Sequence, residues 1–171
     1  MLHTEQPQRQ NNTTLVLTWL CLVGGAALFA ASMYASAFPA ALQLIGVLLL
    51  VAGILLVGVY QTHYIYRIEP DSRGIEGYDF VVVQVKSRKE QTVCRLGLAD
   101  VRGIERQTPE NRDEIKKKYA EQKQAVHSYC VDILPAHSQY VTFDDGGNIV
   151  VVRLQASERL MEILEQNVPK E

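Results

Sequence analysis

Between Arg9 and His63 the chain carries no charged side chain. That gap holds two apolar segments, 15–34 and 40–60, each close to the roughly 20 residues a helix needs to cross about 30 Å of hydrocarbon. In lipid the backbone must satisfy its own hydrogen bonds, and an isolated pair of segments does so as helices. The connection Ala35-Ser36-Ala37-Phe38-Pro39 is so short that the helices must be antiparallel neighbours, and Pro39 suits the first turn of the second. Close approach is available through small residues, Ala27, Ala31 and Ala35 on one helix and Gly46 and Gly53 on the other. Such residues are also ordinary composition for apolar helices, so the contact face stays open at this level.

The Ala35-Ser36-Ala37 triplet has the form of a signal-peptidase site. A secretory signal, however, has a basic start and an apolar core of about 7–15 residues. Here Arg9 is matched by Glu5, the core is longer, and a second full-length segment follows at once. Two uncleaved spans are therefore expected, with residues 1–14 as a disordered tail. No basic residue lies in the connecting loop, whereas Arg67, Arg73, Lys86, Arg88 and Lys89 follow the second span. The positive-inside bias then puts both termini in the cytoplasm of a cell (plasma or inner) membrane protein, with Trp19, Tyr60, Tyr64 and Tyr66 around the interface.

Of 17 Lys and Arg and 19 Asp and Glu, only Arg9 and Glu5 precede residue 61, so the net charge of −2 belongs to the remainder. That balance gives no basic footprint for nucleic acid. Cys21, Cys94 and Cys130 are too few and scattered for a disulfide framework, and free, mostly buried thiols are expected in a reducing compartment.

Past residue 60 the pattern changes to short alternating runs separated by turns. Tyr64, Tyr66 and Ile68 alternate; Val81, Val83 and Val85 share a face; Cys94, Leu96 and Leu98 share another. The run 101–107 is a shorter candidate, and 125–134, 140–145 and 149–155 supply three more. Asp144-Asp145-Gly146-Gly147-Asn148 between the last two reads as a hairpin turn, since Gly and Asn tolerate positive φ. Two helices interrupt the strands. One spans about 109–123, with Thr108 as cap, Pro109 at its first position, and only Ile115 and Tyr119 as an apolar line, which places it on the surface. The other follows Ser157, with Leu160, Met161, Ile163 and Leu164 as a stripe that must cover something.

About seven antiparallel strands closed by an amphipathic C-terminal helix is the pattern of a PH-like barrel or sandwich. The stretches GLADVRGIERQ and GGNIVVVRLQASERLMEILEQ, behind a two-helix hairpin, resemble the bacterial pleckstrin-homology-like membrane proteins over residues 61–171. The insertion at 109–123 departs from the simple pattern. The resemblance implies a membrane-tethered interaction module, usually of unassigned role, and not an enzyme.

Several residues invite chemistry and are better explained without it. In phosphoinositide-reading PH domains the loop after strand one is basic, but here it is acidic, Glu69, Asp71 and Glu76 against Arg73. His127, Cys130 and Asp132 suggest a metal, yet on a strand His127 points away from the other two. No CxxC, HxxxH or HExxH spacing occurs, and Asp144 and Asp145 lack the rest of a calcium loop. Ser157 is accounted for as a cap, and Tyr129, Val131, Ile133, Val150, Val152 and Leu154 as core. No cofactor or metal site and no catalytic residues are expected. Lys116, Lys117 and Lys118 sit in a helix of nearly balanced charge and read as a solvated face. The remaining candidate is membrane-surface contact by Lys86, Arg88 and Lys89 in one hairpin. The expected function is binding of a protein partner of unknown identity, the chain itself included. The alternatives are a small-ligand binder or enzyme with a pocket under the C-terminal helix, and a peripheral lipid-surface sensor.

Overall fold

The computed structural model describes residues 2–35, 38–71, 77–86 and 89–168. The residues Ser36, Ala37, Arg73, Glu76 and Arg88, singled out above, lie outside these. The chain divides into two bodies, residues 11–62 and residues 1–10 together with 63–171.

The first body is a pair of helices, α1 (Thr13–Ser32) and α2 (Pro39–Tyr60). Both are long and apolar enough to span a membrane. Pro39 is the first residue of α2, as its fixed φ favours. Gly46 and Gly53 are buried where the helices meet. The opposing face is not Ala27 and Ala31, which are exposed, but Thr14, Thr18, Gly25 and Ser32. Gly25 explains the choice, because a Cβ there would stand 2.9 Å from the carbonyl oxygen of Gly46. The hydroxyls beside it are not left unpaired: Thr18 Oγ1 donates to the Thr14 carbonyl at 2.7 Å and Ser32 Oγ to that of Phe29 at 2.6 Å.

The second body is a mainly-β domain of two four-stranded sheets. The first, in order β1-β2-β3-β4, is antiparallel throughout and comprises His3–Glu5, His63–Pro70, Tyr78–Lys86 and Lys89–Gly97. The second, in order β5-β7-β8-β6, comprises Val101–Gln107, Ser138–Asp145, Asn148–Leu154 and Val126–Ser128. A single 3-10 turn at Leu98–Asp100 passes the chain from one sheet to the other. The sheets form no closed barrel, which corrects that half of the expectation.

The extra strand is β1. Residues 1–14, expected to be disordered, contribute His3–Glu5 to the edge of β2 in register with Tyr66–Ile68, and Leu2 N–H donates to the Ile68 carbonyl at 2.9 Å. Three residues have too little pattern to announce a strand, and the pairing crosses the whole apolar hairpin. The run 125–134 is also corrected. Only Val126–Ser128 is strand, and it pairs parallel to β8. Beyond it Tyr129 N–H still reaches the Arg153 carbonyl of β8, but side chains claim the next groups: Tyr66 Oη donates to the Tyr129 carbonyl, and Gln155 Oε1 accepts from Asp132 N–H. Ile133, read as core, is consequently exposed.

Tyr66, Ile68, Phe80, Val82, Leu96, Leu98, Val141, Phe143, Val152 and Leu154 fill the space between the sheets. On β3 the core face is therefore Phe80 and Val82. Val81 and Val83 are buried on the opposite face, where Val81 is flanked across the strands by Arg67 and Arg95. The last helix, α4 (Glu158–Glu165), closes this core with Leu160, Met161 and Leu164, all without exposed surface, and Ser157 Oγ accepts from Leu160 N–H as cap. Helix α3 (Arg112–Glu121) lies on the outer face of the second sheet through Ile115 and Tyr119. It starts later than Thr108 and Pro109 suggest, since Asn111 uses its side chain to bind Thr108 N–H and the Arg106 carbonyl ahead of the first turn. The β7–β8 turn is built as its sequence dictates, with Gly146 and Gly147 at φ of 60° and 93° and Gly147 N–H bound by Asp144 Oδ1.

Candidate functional site

Three polar surfaces of the β-domain carry chemistry-bearing side chains. The hairpin joining β3 and β4 is the one marked by sequence. Lys86 and Lys89 are direct cross-strand partners and both are exposed. Val85, next to them, pairs with His63, the first residue of β2. The two lysines thus occupy the end of the sheet at which the chain enters the domain from α2. Arg88 lies outside the described residues.

On the outer face of the first sheet Arg95 bridges Asp79 at 3.0 Å and Glu69 at 3.4 Å, and Arg67 pairs with Glu90 at 3.0 Å. Each guanidinium is balanced by a carboxylate, which makes this face a screened lattice over Val81.

The outer face of the second sheet is different. Arg153 of β8 is only 8% exposed. Its Nε donates to Ser138 Oγ at 3.0 Å and its Nη2 to Gln107 Oε1 at 2.9 Å. The Tyr140 hydroxyl donates to the same Gln107 oxygen at 3.2 Å, and the guanidinium carbon lies 5.5 Å from the Tyr140 ring centre. Strand register explains the grouping, because Arg153 opposes Tyr140 on one side and Ser128 on the other, while Gln107 opposes Ser138. Every partner is neutral. Glu105, the cross-strand partner of Tyr140 on β5, is bound by Lys118. Burial raises the Tyr140 pKa, and Arg153 and Arg112 pull it back down. Sequence reading missed this centre. Arg153 looks like one more charge in IVVVRLQ, and only the outward phase of β8 together with α3 above it reveals the burial.

The group His127, Cys130 and Asp132 does not converge. His127 is exposed on β6, the Cys130 thiol points to the Arg153 carbonyl at 3.7 Å, and Asp132 accepts from Gln10 N–H at 2.7 Å and Gln155 Nε2 at 2.9 Å. Burial pushes the Cys130 thiol up to about 11. No three potential metal ligands cluster among the described residues. Beneath α4, where a pocket was the alternative, the space is filled by Leu160, Met161 and Leu164. No family model, curated protein or solved structure matches the chain.

Proposed function

We propose that the chain is a two-span membrane protein whose PH-like domain sits at the cytoplasmic face of a cell membrane and docks a protein partner, without catalysis. The observation that carries the reading is the pairing of β1 with β2. The strand before the first apolar helix and the strand after the second belong to one sheet, which supports a hairpin with both ends on one side. Two direct connections, at residues 10–11 and 62–63, join the domain to the hairpin. Four antiparallel strands facing β5, β7 and β8, with α4 closing the core, support the PH-like reading, the hairpin being inserted between the first and second strands. A docking patch is offered by Ile133 and Leu134, neighbours that are 42% and 48% exposed on an irregular segment. The test is a photo-crosslinking residue at position 133, compared with one at Lys117 on the polar face of α3, in native membranes. The expected result is a discrete adduct from position 133 only. An adduct of twice the chain mass identifies the partner as a second copy, and no adduct, or equal labelling at both positions, overturns the reading.

A second reading is favoured by Lys86 and Lys89, which stand at the end of the sheet where the chain enters from α2. Each basic residue near an anionic leaflet contributes about 1 kcal/mol. Anionic vesicles should retain the β-domain at low salt, and changing Lys86, Arg88 and Lys89 to Ser should release it. Equal retention of both forms removes the lipid reading and leaves the protein partner.

A further inference from the structure

Between α3 and β6 an open cleft of about 360 Å³ lies over the second sheet. Lys116, Tyr119 and Ala120 of α3 form one wall, and Val126, Tyr140 and Arg153 form the floor and the other. Arginine remains ionised when buried, and a buried charge needs an opposite charge or a full set of acceptors. Arg153 has neither. Among the described residues it enters no ion pair. Its neutral acceptors are shared, and the other polar groups lining the cleft, Gln124 and Ser128, carry no charge. Gln107 Oε1 already accepts from both Arg153 and Tyr140, and Gln107 Nε2, itself buried, finds no acceptor. Lys116 adds a second cation to the same cleft, and Arg112 acts on the Tyr140 hydroxyl from the start of α3. The walls also carry apolar surface: Tyr119 and Tyr140 stack at 5.2 Å between ring centres, beside Val126 and Ala120.

We propose that this cleft binds a small organic anion, a carboxylate carried on an aromatic or apolar body, with the carboxylate between Arg153 and Lys116 and the body against Tyr119, Ala120 and Val126. A planar carboxylate takes two of the parallel donors of a guanidinium. A mixed cleft of apolar walls with a few converging polar groups is the usual form of a small-molecule site. The assignment does not depend on the docking reading, since neither Ile133 nor Lys86 nor Lys89 lines the cleft.

The test is an amide NMR titration of the full chain in detergent micelles, with benzoate, neutral benzamide and inorganic phosphate as probes. Benzoate should move the signals of Tyr119, Val126 and Ser128 saturably, and benzamide should bind at least about tenfold more weakly, the loss of a charge-assisted hydrogen bond. Because Arg153→Gln can disturb the fold, Lys116→Gln, at an exposed position, is the working variant. It should weaken benzoate about tenfold with other signals unmoved. Overturning results are no saturable shift with benzoate, equal binding of benzamide, or unchanged affinity in Lys116→Gln. Saturation by phosphate alone would remove the apolar body from the assignment and so overturn it as stated.

Discussion

Glu5 stands 152 residues from the serine it holds. Its carboxylate accepts from Ser157 N–H at 2.8 Å and from the Ser157 hydroxyl, and His3 Nε2 lies 3.1 Å away. A carboxylate at a helix N-terminus satisfies free N–H groups and complements the helix dipole. Glu5→Ala should therefore lower domain stability by about 1–2 kcal/mol, seen in denaturant titration. Ser157 was legible as a cap because capping is local. Glu5 was not, since no local pattern points across the hairpin. Cys130 shows the same limit: its presence in an apolar run suggested burial, but not the drop in acidity. Its folded pKa, about 11 against an ordinary 9.0, favours the protonated thiol in the fold. The resulting stabilisation is complete below pH 9 and is lost as pH rises through 11. Burial raises Tyr129 to about 12, in the same direction. Denaturation free energy measured against pH should fall above pH 9, and Cys130→Ala should remove the first part of that fall.

Among the elements, α4 was the most readable, because an amphipathic stripe after a capping serine leaves one face to bury. Leu160 and Leu164 are both fully buried. Either one changed to Ala should cost about 2–5 kcal/mol, and the pair should leave the domain barely folded, out of a total near 5–15. Unchanged thermal midpoints would show that α4 does not close the core. The two apolar helices were legible in length and number but not in facing. Ala27, Ala31 and Ala35 matched a helical repeat as well as Thr14, Thr18, Gly25 and Ser32 do, and hydropathy cannot rank them. Packing can, since the Gly25 site has no room for a Cβ. Gly25→Leu should force the helices apart and lower the thermal midpoint of the detergent-solubilised chain, while Gly24→Leu, where nothing lies within 4 Å of an added Cβ, should not.

At the scale of the molecule, the order of strands and helices was carried by turn residues and alternation, and the domain was legible to that extent. What was hidden is that the domain begins before the hairpin. A fragment starting at residue 61 lacks β1, the Glu5 contacts and the Gln10–Asp132 hydrogen bond. It should be less stable by at least about 3 kcal/mol, since Leu2, Glu5 and Gln10 together make six hydrogen bonds to Ile68, Ser157, Asp132 and His137, each contributing about 0.5–1.5. A chain in which residues 11–62 are replaced by a flexible Gly/Ser linker keeps all of these and should melt near the intact domain. Equal stability of the two would mean that β1 is not part of the fold. The split strand pair also makes the domain an inspector of its own delivery. Its first strand leaves the ribosome before the hairpin, and its partner leaves after. A chain that threads only one helix through the bilayer strands the two halves in different compartments. The sheet then ends at a bare β2 edge and Ser157 loses its carboxylate. On the proposed two-span topology, such a chain should be degraded faster than one with both helices inserted.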